Sequence, residues 1–166
     1  VNLEVAEKMV EHVLAHLPQK PALNTLELYA GAGLFSLFLA EHSRELIAIE
    51  SSPSACYDFA NNLDSYDNVR LYEGPVEQVL PALESELPPM DLVLLDPPRA
   101  GLHPKARESL EKLSPEHIVY ISCDPSTLAR DLKHLCAAGY KLEDLHLFDM
   151  FPQTYHLETT AILQRE

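Results

Sequence analysis

Residues 25–42 hold the feature that most limits what this chain can fold into. Thr25-Leu26-Glu27-Leu28-Tyr29 is a short apolar run that passes through Ala30-Gly31-Ala32-Gly33 into the helical pattern LFSLFLAEH. A strand that turns on glycines straight into a helix is the opening half of a βα unit. Parallel strands must be joined by a crossover, usually a helix, so a chain that begins this way is committed to a parallel sheet with helices on its faces. The remaining sequence keeps the alternation. An amphipathic helix over 2–17, with Asn2 as its cap, precedes the corner. Strands at 45–49, 69–73, 91–95 and 118–121 follow, with helices at 52–63, at 76–84 and from Asp124-Pro125 onward. Lys141 to Asp149 and Tyr155 to Leu163, joined by 150–154, read as a closing antiparallel pair. The expectation is one α/β domain over 1–166. Its sheet is doubly wound, seven-stranded and mainly parallel, with an antiparallel C-terminal strand.

In such sheets, ligands bind beyond the carboxyl ends of the strands, where the loops converge. The residues at those ends are therefore the ones to weigh. Gly31 and Gly33 allow close backbone approach at the first corner, but Ser36 stands where a dinucleotide fingerprint needs a third glycine. Glu27 followed by the Gly-x-Gly turn resembles instead motif I of methyltransferases that use S-adenosylmethionine. Glu50 ends the second strand, 19 residues after Gly31, where a carboxylate can accept ribose hydroxyl protons. The fourth strand ends in Asp96-Pro97-Pro98-Arg99-Ala100-Gly101. Two prolines there stiffen the loop and hold Asp96 in one orientation, suited to a cationic amine.

The fifth strand ends at Cys123, and Asp124-Pro125 supplies an N-cap and a first-turn proline for the next helix. A thiol beside the unpaired N–H groups of a helix start is favoured as thiolate, making Cys123 the candidate nucleophile rather than a small core cysteine. Glu158 lies in the last strand among Leu157, Thr159, Thr160 and Ala161. Desolvation raises the pKa of a carboxylate placed so, which suits a general base; the competing reading is the polar face of an alternating strand. His12 and His16 have helical chelating spacing, but no third ligand is near in sequence. They read as a solvated face, and no metal centre is expected.

Charge narrows the partners. A net charge of −14 argues against a broad nucleic-acid-binding surface. Yet six of the twelve basic residues (Arg99, Lys105, Arg107, Lys112, Arg130, Lys133) lie between 99 and 133, so a neutral-to-basic patch is expected around Cys123. No apolar run reaches membrane-spanning length, and three cysteines without a C-x-x-C pair fit a reducing, cytoplasmic setting.

Four segments together carry a resemblance. LELYAGAGLFSLFLA (26–40), DLVLLDPPRAGLHP (91–104), IVYISCDPSTLARDL (118–132) and DMFPQTYHLETTAIL (149–163) are similar to the catalytic domain of RNA uracil-5-methyltransferases. The resemblance implies a Rossmann-like class I fold. It also implies transfer of a methyl group from S-adenosylmethionine to C5 of a uridine in tRNA or ribosomal RNA. By the same resemblance Tyr29, Gly31, Gly33 and Leu34 line the cofactor pocket, Glu50 holds the ribose, and Asp96 the methionine end or the base. Cys123 would be the nucleophile and Glu158 the base. Asp124 stands where the family usually has Asn, and Leu34 where a polar residue is common, so only a backbone contact is expected at 34. Additional N-terminal RNA-binding parts are implied, so the chain is expected to be a catalytic module gripping RNA mainly through other sequence, with no DNA partner. The alternatives are a methyltransferase for another nucleobase and a non-catalytic module that keeps the fold for interaction.

Overall fold

The computed structural model describes residues 3–149 and 157–166. The order of elements is α1 (Leu3–Ala15), β1 (Leu23–Leu28), α2 (Leu34–Leu39, continued by a 3-10 turn at Ala40–His42), β2 (Ser43–Glu50), α3 (Pro53–Asn62), β3 (Val69–Glu73), α4 (Val76–Leu83), β4 (Leu92–Leu95), α5 (Pro104–Leu113), β5 (His117–Ser122), α6 (Pro125–Ala137), β6 (Tyr140–Phe148) and β7 (Glu158–Arg165). The expected cap Asn2, the connection 150–154 and the first residues of the last expected strand lie outside the described residues. Among the described ones, no helix is long and apolar enough to cross a membrane.

The strands form one sheet in the order β3-β2-β1-β4-β5-β7-β6. β1 to β5 pair in parallel, while β7 runs antiparallel between β5 and β6. This is the doubly wound, mainly parallel α/β sheet that the alternation implied. The central strands read as continuous apolar runs because helices cover both faces. All four residues of β4 are fully buried. Helices α1, α2 and α3 cover one face through Met9, Val13, Phe35, Leu39 and Phe59. Helices α4, α5 and α6 cover the other through Leu80, Ala106, Leu110, Leu128 and Leu135. Burying each such aliphatic side chain contributes roughly 1.5–3 kcal/mol, so this two-sided core dominates the fold's stability.

Connections leave β1 and β4 toward opposite edges of the sheet, so the switch point lies between these two strands. The carboxyl ends of β1, β2, β4 and β5 open there, which places residues 29–33, 50–52, 96–103 and 123–124 around one cleft.

Candidate active site

The first corner is shaped by backbone. Tyr29 leaves β1 at φ 62°, a left-handed conformation that a non-glycine residue adopts at a cost, and Gly31 and Gly33 follow at φ 56° and 88°. Gly33 has a second reason to be glycine: a Cβ there would lie 2.8 Å from Leu63 and 2.9 Å from Phe59 of the α3 region. At Gly31 the space is open. No side chain caps α2. The Gly31 N–H instead donates to Glu50 Oε2 at 2.8 Å.

Glu50 is thereby fixed. Its Oε1 accepts from the backbone N–H groups of Ser51 and Ser52, both at 2.7 Å. Oε1 is filled by these two bonds, while Oε2 keeps a free lone pair. In this arrangement Glu50 can take one ribose hydroxyl cleanly rather than two.

A cavity of about 550 Å³ joins Tyr29, Glu50, Ser51, Pro75, Val76, Glu77, Asp96 and Pro98. This volume suits a nucleoside-sized ligand. Its walls combine three carboxyl side chains, Glu50, Glu77 and Asp96, with apolar Pro75 and Val76. Tyr29 also borders an adjoining cavity of about 430 Å³, whose lining includes His103, Arg107 and Arg130. The Tyr29 hydroxyl bonds to the His103 backbone, and its pKa is pushed up to about 12, chiefly by desolvation. Leu34 stands apart. Its side chain is 48% exposed and faces the groove between α1 and α2 with Leu3, Val10 and Phe38.

Acid groups converge on the floor of the cleft. Solvent reaches Asp96 through the open mouth, yet protein atoms crowd its carboxyl. That desolvation and, second, the charge of Glu158 push its pKa up to about 7. Desolvation also raises Glu158. Below them Glu27, 1% exposed, accepts a hydrogen bond from the Ser36 hydroxyl, and burial pushes its pKa up to about 8. Three carboxyls thus share a region where not all can be charged at once without a cation.

The second corner is shaped by side chains. Asp124 caps α6, accepting from the N–H groups of Ser126 (2.9 Å) and Thr127 (3.0 Å). These bonds hold the Asp124 carboxyl below its usual range. The helix-end N–H groups expected to favour a Cys123 thiolate are therefore spent on a carboxylate next to it. Around Cys123, the Ser122 hydroxyl donates to the Asp124 carbonyl at 3.0 Å and accepts from the Asp124 N–H at 3.1 Å, which fixes the cysteine's flanks. Cys123 itself is partly exposed.

Sheet register connects this corner to Glu158. β5 and β7 pair antiparallel, with Ser122 opposite Thr159. Ser122 is the last residue of β5 in register with β7, so Cys123 and Glu158 are the residues next to that last pair, at the carboxyl end of β5.

Two sets of residues were not legible beforehand. Ser51, Pro75, Val76 and Glu77 line the cavity because they follow β2 and β3, a position that the carboxyl-end rule would have supplied. Asp131, fully buried, accepts from the Leu102 N–H (2.8 Å) and the Tyr120 hydroxyl (2.7 Å), and pairs with Arg130 (2.9 Å). Together with the Thr127 hydroxyl donating to the Arg99 carbonyl at 3.0 Å, it pins the 97–103 loop to α6. Among the described residues, half of the six members of the expected basic patch form ion pairs: Arg130 with Asp131, Arg107 with Glu111, and Lys112 with Glu84.

A family profile for "tRNA (Uracil-5-)-methyltransferase" matches residues 1–166. A protein of Streptomyces avermitilis described as an uncharacterized RNA methyltransferase is 40% identical over 99% of this chain and 38% of its own length. The 23S rRNA (uracil(1939)-C(5))-methyltransferase RlmD of Shewanella sediminis is 40% identical over 99% of this chain and 37% of its own. The chain thus spans less than two-fifths of these relatives. The crystal structure of Pyrococcus abyssi tRNA (uracil-54, C5)-methyltransferase in complex with S-adenosyl-L-homocysteine superposes with a TM-score of 0.79 at 30% identity, over 94% of this chain and 37% of that one. With its profile matched end to end, the chain belongs to the tRNA (uracil-5-)-methyltransferase family.

Proposed function

We propose that this chain is the catalytic part of an enzyme that methylates C5 of a uridine in tRNA or ribosomal RNA, with S-adenosylmethionine as methyl donor. The observation that supports the reading is the β5–β7 register: its last pair, Ser122 and Thr159, is flanked by the partly exposed Cys123 and by Glu158, a desolvated carboxyl whose charge acts on Asp96 of the cavity.

C5 of uracil is a weak nucleophile. The Cys123 thiolate adds to C6, forming an S–C6 bond and sending the C5–C6 π pair toward the O4 carbonyl as an enolate. C5 thereby becomes nucleophilic. S-adenosylmethionine, when bound, supplies the electrophilic methyl that C5 takes. The Glu158 carboxylate then removes the C5 proton, the freed pair restores the C5–C6 double bond, and the S–C6 bond breaks to release the thiolate. Desolvation raises the pKa of Glu158, which makes it a better proton acceptor than an ordinary carboxylate.

The cavity residues suit the donor. Glu50 offers its free Oε2 lone pair to a ribose hydroxyl, Asp96 faces positive charge, and Pro75 and Val76 give an apolar wall for a purine. Tyr29 borders the same space, Gly31 holds Glu50 through its N–H, and Leu34 contributes backbone alone. The target base must be unpaired or flipped out to reach the cleft. With a net charge of −14, the chain draws its grip on RNA mainly from sequence outside it, in a cytoplasmic setting, and DNA is not its partner.

A short RNA bearing 5-fluorouridine, mixed with the protein and the methyl donor, tests this. Fluorine at C5 cannot leave as a proton, so a denaturation-resistant adduct should persist, map to Cys123 and vanish in Cys123→Ala. An adduct elsewhere, or one that survives Cys123→Ala, contradicts the reading.

A further inference from the structure

His12 is not on a solvated face. The α1 helix packs along the outer part of the sheet, and His12 lies against β6 with its side chain only 15% exposed. Three imidazoles meet there. The His12 ring is 4.4 Å from that of His16 and 4.7 Å from that of His146, which in turn is 4.6 Å from the Phe148 ring. The third ligand that the sequence did not show comes from β6. Asp144 Oδ2 is 3.1 Å from His12 Nε2, and one ligand atom each from His12, His16 and Asp144 lie within 4.8 Å of one another.

The details argue for more than a histidine–carboxylate pair. His12 Nε2 and Asp144 Oδ2 are both inaccessible to solvent, yet neither has a hydrogen-bond partner: the ring nitrogen does not aim at the oxygen it faces. At His16, Nδ1 lies 2.8 Å from the backbone carbonyl of His12. A carbonyl only accepts, so Nδ1 carries the proton and Nε2 keeps its lone pair. That is the outer-shell arrangement that fixes a metal-binding histidine's tautomer.

We propose that His12, His16 and Asp144 form a binding site for a divalent transition ion of the zinc type, joining the last turn of α1 to the edge strand β6. Two imidazole nitrogens and one carboxylate oxygen are a zinc-type donor set, poorly matched to magnesium or calcium. Tetrahedral bonds of about 2.0–2.1 Å would draw the three donors together to roughly 3.3 Å, a change within side-chain rotation. None of the three ligands lines the cavity of Glu50 and Asp96 or takes part in the reaction proposed there.

Cobalt(II) and zinc(II) titrations of the chain without a histidine tag test it. One equivalent of cobalt should bind with the visible bands of a four-coordinate nitrogen–oxygen site and no sulfur-to-metal band. Saturating zinc should raise the melting temperature by roughly 5–10 °C. His16→Ala and Asp144→Asn, each checked for unchanged melting without metal, should weaken binding at least about ten-fold. His134→Ala, on α6 and outside the cluster, should not. Absence of saturable binding, wild-type affinity in both cluster variants, or a sulfur-to-metal band pointing to a cysteine would overturn the proposal.

Discussion

The two strand-to-helix corners of the cleft have the same topology and opposite construction. At 29–34 the turn is glycine backbone, α2 begins without a side-chain cap, and the free N–H of Gly31 goes to Glu50 across the loop. At 122–125 the turn is closed by side chains: Ser122 ties both flanks of Cys123, and Asp124 takes the helix-end donors. The open corner leaves backbone that a ligand could approach; the closed one holds Cys123, the proposed nucleophile, between fixed flanks. A cofactor pocket needs the first property and a nucleophile needs the second. Substituting either corner should therefore fail in a different way.

The largest effect is expected at the closed corner. Cys123→Ala should reduce methyl transfer to RNA at least about a thousand-fold while leaving cofactor affinity unchanged by calorimetry. An equal loss of both would erase the division between the corners. At the open corner Gly33→Ala should do the reverse. Its Cβ meets Leu63 and Phe59 inside 3 Å at φ 88°, a cost of roughly 1–3 kcal/mol, and melting should fall by several degrees together with cofactor affinity. Gly31→Ala, with open space at its Cβ, should lose less of both.

Next comes pH. Asp96 holds its proton up to about pH 7 in the free protein, whereas a cationic ligand requires the carboxylate. Binding therefore releases a proton, and affinity should rise about ten-fold per pH unit below 7 and level off above it. Calorimetry in two buffers of different ionisation enthalpy would count that proton, and a flat affinity between pH 6 and 8 would remove Asp96 from the site. The smallest effect separates the cap from its charge. Asp124→Asn keeps an N-cap but removes the negative charge beside Cys123, and iodoacetamide should then alkylate Cys123 a few-fold faster at neutral pH. No change would mean that solvent already screens the pair.

Much of this arrangement was legible because it depends on local signals. Strand 69–73 coincides with β3, and Asp124-Pro125 starts α6 through the capping and proline geometry it encodes. Tyr29 was read as strand but takes a positive φ just past it, since the turn begins one residue before the alanine. Helix α5 was missed: PKARESLEKL is mostly polar, and only Ala106, Ser109 and Leu110 are buried. Asp131 gave no sign of its role because its partners, Leu102 and Tyr120, come from other elements. The same holds for His12, whose contact with Asp144 exists only once β6 is placed at the edge beside α1. Local chemistry writes itself into spacing, whereas long-range pairing waits on topology.

The pairing of Cys123 with Glu158 across β5 and β7 is the central claim, and release of tritium from C5-labelled uridine in RNA tests it most directly. With wild-type protein and methyl donor, label should appear in water in step with methylation. Glu158→Gln should retain a covalent Cys123–RNA species yet release almost no tritium. Release at the wild-type rate from Glu158→Gln would contradict the pairing and assign the proton to another base.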